Sequence, residues 1–317
     1  MTLLPALLAL ACSGGTSDPT PDPAILTEED AVERVEVKLA LNWFPEPEFG
    51  GFYEGVLGGH YERAGFDVEI VPGGPGAPSL ELLTSGRVQA AISTADDILV
   101  KRNRGVKAVG VWPAFQLSPR GLLVHADAGI HTVEDITSGD IALEVGSPFQ
   151  RYLWDKMGWE GKVQAVPYGG SVGPFLADKS IIQQAYITSE PCVARGAGAS
   201  VEFLRAADSG WNPYGVLLAL PEPLPDWSAD FVAATATAWE AYMKDPSRAN
   251  ARISELNDQM KPELMGCITE AQQPFITGSD GMGAMSVTRW EAMAGLLVRL
   301  ELLPAGSTAA GAWKELP

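Results

Sequence analysis

Short runs rich in β-branched residues alternate with runs of helical character from Val35 onward, and this alternation restricts the fold more than any other feature. Residues 35–41 lead into 50–65, 66–71 into 79–88, and 89–94 into 96–105, with 106–112 next. The helical runs stop at Gly65, Gly86 and Gly105. Glycine just past a helix end takes the left-handed conformation that closes the last turn. Strand and helix in strict alternation predict an α/β fold, with parallel strands covered by helices.

A second cycle begins at 121–124. It continues through 132–137, a strand at 141–145, a helix at 148–157 and a strand at 163–167. A helix at 172–179 and a strand at 184–188 complete it. Thr132 with Asp135 three residues on, and Ser189 after a strand, are helix N-cap candidates. A further strand-like run covers 214–220, after which the character changes to three helices at 227–257, 262–276 and 286–303. Phe231, Ala234, Ala238 and Tyr242, and again Trp290, Met293, Leu297 and Leu300, recur at helical spacing and read as buried stripes.

With 317 residues the chain is long enough for two medium lobes or one large α/β domain. Its net charge of −18 repels nucleic acid and anionic membrane, so no nucleic-acid partner is expected. Cys12, Cys192 and Cys267 match no metal motif. The sequence leaves open whether Cys192 and Cys267 pair. His60, His125 and His131 are scattered, and no metal or cofactor is expected.

Residues 2–11 form an apolar stretch too short for a permanent membrane span, and Cys12 follows it. This start is similar to a bacterial lipoprotein signal, although no Lys or Arg precedes the apolar run. The resemblance implies a signal peptide over residues 1–12, lipidation at Cys12, export, and attachment to membrane through the lipid alone. Residues 13–34, rich in Ser, Thr, Asp and Pro and then acidic, read as a flexible tether.

The segment Asn42-Trp43-Phe44-Pro45-Glu46-Pro47-Glu48-Phe49-Gly50-Gly51-Phe52-Tyr53 follows the first strand and leads into the first helix, with Trp43 and Phe44 on the loop between them. Aromatic rings beside a helix N-terminus suit a flat, polar small molecule, though the same rings can cap the strand end as core. Asn42 offers both a donor and an acceptor. Ser93, Thr94 and Asp96 follow the third strand, where they can bind a ligand or cap the next helix. Gly146 and Ser147 open a helix in the second cycle, again as an acceptor site or an ordinary cap. Tyr186, Thr188, Ser189 and Glu190 end its last strand; Glu190 either meets a ligand amine or favours the helix dipole. Asp208 and Tyr214 lie where the chain returns to the first lobe and are candidates for lining the cleft or locking a hinge.

Four segments resemble one family: Leu41-Asn42-Trp43-Phe44-Pro45, the run 83–93, Gln184-Ala185-Tyr186-Ile187-Thr188-Ser189-Glu190-Pro191, and Gly281-Met282-Gly283-Ala284-Met285 before Arg289-Trp290. The chain resembles SsuA/NMT1/THI5-like periplasmic substrate-binding proteins over roughly residues 35–303. Asn42 stands where that family's pyrimidine receptors usually carry Asp, and Gln89 and Ala91 replace a common Asp and Gly. The resemblance implies a type II periplasmic binding protein fold. Residues 35–117 plus 213–317 would form lobe 1 and residues 118–212 lobe 2, each a mainly parallel sheet flanked by helices, with a helical C-terminal part. It also implies a monomeric solute receptor of an ABC importer that closes on a pyrimidine-like ligand and is read by permease and ATPase subunits. The alternatives are a receptor for nitrate or alkyl sulfonates, or an enzyme of pyrimidine metabolism. No P-loop, nucleophile elbow or paired-carboxylate motif supports an enzyme.

Overall fold

The computed structural model describes residues 33–317, so the signal and lipidation expectation at residues 1–12, and all but the last two residues of the tether, lie outside the described residues. Among the described residues ten strands form two five-stranded sheets. The first sheet holds β1 (Val35–Ala40), β2 (Phe66–Val71), β3 (Ala90–Ser93), β4 (Ala108–Phe115) and β10 (Gly215–Pro221), in the order β2-β1-β3-β10-β4. The second holds β5 (Arg120–His125), β6 (Gly139–Leu143), β7 (Val163–Pro167), β8 (Ile182–Tyr186) and β9 (Val201–Arg205), in the order β7-β6-β8-β5-β9.

Both sheets are mixed in the same way. β1 pairs in parallel with β2 and β3, while β10 is antiparallel to β3 and β4. β6 pairs in parallel with β7 and β8, while β5 is antiparallel to β8 and β9. In each sheet the reversed strand is the first strand after the chain has crossed from the other sheet. It enters from the opposite end and inserts beside the last parallel strand.

Eleven helices are described. On the first sheet lie α1 (Gly50–Leu57), α2 (His60–Arg63), α3 (Ser79–Thr84) and α4 (Ala95–Arg102); on the second lie α5 (Pro148–Met157), α6 (Gly173–Ala177) and α7 (Glu190–Gly196). The C-terminal part adds α8 (Ser228–Lys244), α9 (Ser247–Leu256), α10 (Met265–Thr277) and α11 (Val287–Arg299). Residues 34–317 form one compact unit.

Local chemistry explains where the elements differ from the sequence reading. The helix expected over 50–65 is two pieces, because Gly59 turns the chain at φ 67°. The helix expected over 227–257 breaks between Asp245 and Ser247, where Pro246 cannot supply the N–H that a continuous helix needs. β4 runs past Trp112 and through Pro113, which a sheet tolerates here because β4 is an edge strand. The expected element at 132–137 is a single 3-10 turn, Val133–Asp135, closed by a reciprocal Thr132–Asp135 capping box. β9 falls where no strand was expected; the run Val201-Glu202-Phe203-Leu204-Arg205 pairs with β5 at the sheet edge.

Two fastenings hold the sheets together. Arg289, on α11, donates from Nε to the Asn212 carbonyl at 3.1 Å and from Nη2 to the Pro213 carbonyl at 3.1 Å. It also donates to the Gln116 carbonyl and stacks over the Tyr214 ring at 3.8 Å. One guanidinium thus grips both crossings between the sheets. A disulfide joins Cys192 on α7 to Cys267 on α10, with the Cα atoms 6.0 Å apart.

Candidate ligand-binding site

A cavity of about 230 Å³ opens where the ends of the two sheets meet. The first sheet's side supplies Asn42, Trp43, Glu46, Glu48, Thr94 and Asp96. The second supplies Arg120, Ser147, Tyr168, Tyr186 and Glu190. Both sets come from strand ends and the helix starts that follow them, where loops over an α/β sheet gather ligand-binding groups.

The loop after β1 is fixed by the C-terminal helices. Asn257 Nδ2 donates to the Pro45 carbonyl at 3.0 Å, and the Tyr242 hydroxyl lies 3.0 Å from the Pro47 carbonyl. Gln272 Nε2 holds that hydroxyl from behind at 2.8 Å. These contacts turn Trp43, Glu46 and Glu48 toward the cavity. Trp43 Nε1 donates to Glu46 Oε1 at 3.2 Å. From the opposite sheet comes Tyr168, just past β7; its ring lies nearly parallel to that of Trp43, at 13°, with centroids 5.9 Å apart. A ring inserted between them needs roughly 7 Å, two carbon contact distances. A small separation of the two sheets would therefore make a slot for one flat ring.

Three glutamates lie against this aromatic pair. Glu190 accepts from the Tyr168 hydroxyl at 2.7 Å and from the Tyr186 backbone N–H at 2.8 Å. Glu48 accepts from the Thr188 hydroxyl at 3.1 Å, a bond that joins the two sheets. Burial is the main cause that raises all three carboxyls above the usual carboxylate range. Glu48 is pushed to about 8, by burial and then by the charge of Glu190. Glu46 is raised well above the usual carboxylate range by burial and then by the charges of Glu48 and Glu190. Three negative charges so close together and so deeply buried are disfavoured, and a donor or a cation among them would relieve that cost.

A second polar group lies around Arg120. Burial works against its charge, but Tyr186, Glu144 and Asp96 outweigh burial and keep the guanidinium protonated. Asp96, in the first turn of α4, is raised by burial and lowered by Arg120. Its neighbour Asp97 is raised to about 6 by burial, against an ion pair to Lys101 at 3.3 Å.

Of the residues singled out in the sequence, Asn42, Trp43, Thr94, Asp96, Ser147, Tyr186 and Glu190 line the cavity. The others lie behind it or away from it. Phe44 meets Trp43 edge-on at 5.6 Å. Ser93 donates to Asp97 Oδ2 at 3.0 Å. Thr188 and Ser189 are buried behind the glutamates. Gly146 donates its N–H to Gln150, and Ser147 caps α5 by accepting from the Gln150 N–H at 3.2 Å. Asp208 is exposed and paired with Arg205 at 2.9 Å. Tyr214 is buried under Arg289 at the crossings.

Glu46, Glu48, Arg120 and Tyr168 line the cavity without having been singled out. Three carried a readable signal: Glu46 and Glu48 alternate with prolines inside the aromatic segment itself, and Tyr168 follows a strand as Trp43 does. Arg120 directly follows the Ser118-Pro119 crossing.

The model of the family described as NMT1/THI5 like matches residues 46–249, well over half of the chain. The chain belongs to this family. The formylaminopyrimidine-binding protein of Halalkalibacterium halodurans is 24% identical over 253 residues, which covers 77% of this chain and 72% of that protein. The riboflavin-binding protein RibY of Chloroflexus aurantiacus is 24% identical over 319 residues, covering 91% and 88% of the two chains. Among solved structures, the alkanesulfonate-binding protein SsuA of Xanthomonas axonopodis pv. citri, bound to MOPS, superposes with a TM-score of 0.68 at 15% identity, covering 89% of this chain and 99% of that one. The aliphatic sulphonate-binding SsuA of Escherichia coli gives 0.68 at 14% identity, covering 89% and 92%. NMT1/THI5-like membership and these superpositions establish the periplasmic binding protein fold.

Proposed function

We propose that this NMT1/THI5-like chain, a substrate-binding protein of an ABC importer, takes a flat heterocycle bearing an amino group, of the pyrimidine class. The observation that carries the reading is the parallel Trp43–Tyr168 pair beside Glu46, Glu48 and Glu190. A planar ring would fit between the two aromatic faces once the sheets part slightly, and its amine would donate to the crowded carboxyls. A sulfonate or nitrate would put its negative charge among these acids, which costs binding energy in a buried site. The alkanesulfonate binders thus share the fold, while this cavity favours a donor-rich ligand. The names of two relatives, which bind a formylaminopyrimidine and riboflavin, agree with a flat heterocycle.

Closure follows from the same contacts. Trp43–Tyr168 and Thr188–Glu48 each join groups on opposite sheets, so a ligand that bridges them favours the closed arrangement over an open one. The closed protein, a monomer, is then read by permease and ATPase subunits. The Cys192–Cys267 disulfide suits an oxidising compartment outside the cytoplasm. Attachment to membrane through Cys12 is proposed from the sequence alone; Cys12→Ser should move the protein from the membrane to the soluble fraction, and unchanged membrane association would contradict it.

A thermal-shift panel of aminopyrimidines, riboflavin, nitrate and alkanesulfonates tests the ligand class. Bound ligand raises the midpoint by mass action. Aminopyrimidines should raise it and alkanesulfonates should not; the opposite ranking would overturn the reading.

A further inference from the structure

The loop after α9 reaches both aromatic loops from outside the cavity. Asn257 and Met260, 7% and 2% exposed, anchor it on the first sheet's side. Asn257 Nδ2 holds the Pro45 carbonyl, two residues past Trp43. Asn257 Oδ1 accepts from the Gln259 N–H at 3.1 Å, which fixes the backbone from which the Gln259 side chain leaves. Gln259 Nε2 then donates to the Gly170 carbonyl at 3.2 Å, two residues past Tyr168 on the second sheet's side. One short loop thus grips the chain at the same remove behind each of the two stacked rings.

Phe44 fills the space beside this bond. Opposite edges of its ring face Gly74 and Gly170: a Cβ on Gly74 would stand 3.2 Å from the ring, and one on Gly170 would stand 2.8 Å from it. Gly170 is buried, at φ 77°, a conformation that glycine adopts without strain. A residue with a side chain would hold the second sheet's loop away from Phe44. Phe44, Gly170 and Gln259 all stand outside the cavity lining.

We propose that these three residues form a clasp for the closed protein, with Gln259 as its positioning residue. Gln259 sets how firmly the two sheets stay together, and so how slowly bound ligand leaves, without touching ligand. This rests on the reading that the sheets close on a ligand, and it is independent of the ligand's class. The contacts inside the cavity serve this purpose less well. A ring between Trp43 and Tyr168 parts their stack, and polar groups of a ligand compete for Glu48 and Glu190. The clasp is exposed to neither effect. The Gln259 side chain turns about several bonds, so it can follow the roughly 1 Å separation that an inserted ring needs and keep its hydrogen bond. Its donor is the part that matters: the Gly170 carbonyl only accepts, so a carboxylate of the same size cannot hold it.

The test reads closure from spin-label distances in the full chain without ligand, between Asp67→Cys on β2 and Glu160→Cys just before β7. Both positions are exposed, one on each sheet's side. A Cys12→Ser background leaves only the added thiols to label, because Cys192 and Cys267 are bonded. Gln259→Glu keeps the size and loses the donor; it should raise the ratio of open to closed molecules about fivefold, the effect of one partly exposed hydrogen bond. Gln259→Lys restores a donor and should return the ratio to the wild-type value. Gly170→Ala drives Phe44 away and should open the protein at least as far as Gln259→Glu. The unfolding midpoint should stay unchanged in both Gln259 variants, since the loop keeps its own anchors. Coinciding distances in the wild type and Gln259→Glu would overturn the clasp, as would a Gln259→Lys protein as open as Gln259→Glu. A lowered midpoint with unchanged distances would make Gln259 a structural residue and overturn it too. Because no ligand is used, each result stands whichever molecules the thermal-shift panel selects.

Discussion

Trp43 and Tyr168 reach the cavity from opposite sheets, and neither ring is held there by packing alone. Trp43 is only half-buried, yet its indole N–H is fixed on Glu46. Removing the ring should therefore affect ligand far more than folding. Trp43→Ala should weaken aminopyrimidine binding roughly 30-fold by calorimetry, the scale of an aromatic anchor, with little change in the unfolding midpoint. The glutamates make a pH prediction. A carboxyl raised in the folded protein contributes stability that is fully present below its unfolded value and is lost as pH rises through its folded value. For Glu48 that window runs from 4.5 to about 8. The ligand-free protein should lose unfolding free energy across this range, and Glu48→Gln should flatten the loss, measured by urea titrations at each pH. A wild-type stability rising from pH 5 to 8 would contradict the burial assigned to these acids. Trp43 and Glu190 were legible in the sequence because their positions at strand ends resemble a known family's motifs. Arg120 was not, since its meaning depends on which strand ends the two sheets bring together.

At the scale of elements, the cavity depends on helices that never touch it. α1 packs against α8 through its glycines: a Cβ on Gly51 would stand 2.1 Å from the Trp239 ring, and one on Gly50 would stand 2.1 Å from Tyr242. Trp239 is fully buried and meets Phe52 edge-on, so the ring has little freedom to retreat. Gly51→Ala should destabilise the fold by about 2–3 kcal/mol, read from denaturant midpoints. It should also loosen the Glu46–Glu48 loop, which Tyr242 and Asn257 hold in place. An unchanged midpoint would show that α1 has room to shift. The alternation of strand and helix was plain in the sequence because hydrophobic period and glycine stops are local properties. The two reversed strands were not: β5 and β10 read like the others, and only the crossing of the chain makes them antiparallel. β9 was missed because it is a short edge strand whose five residues do not alternate in burial.

At the scale of the whole molecule, two sheets are joined by two crossings, one arginine grip and one disulfide. The Cys192–Cys267 bridge closes a loop of 75 residues in the unfolded chain, which by the chain-entropy model stabilises the fold by about 4 kcal/mol. Replacing both cysteines with alanine should lower the unfolding midpoint, and a reducing agent should do the same to the wild type alone. Equal midpoints with and without reductant would show that the bridge does not form in solution. The central claim, a cavity that clasps a flat amine-bearing ring between Trp43 and Tyr168, is tested most directly by one calorimetric comparison. A 4-aminopyrimidine is titrated at neutral pH into the wild type and into Glu190→Gln, and the ligand is recovered afterwards for mass analysis. The account predicts one saturable site in the wild type, at least tenfold weaker binding in the variant, and ligand recovered unchanged. Equal affinity in the two proteins, or no saturable binding in the wild type, would contradict it.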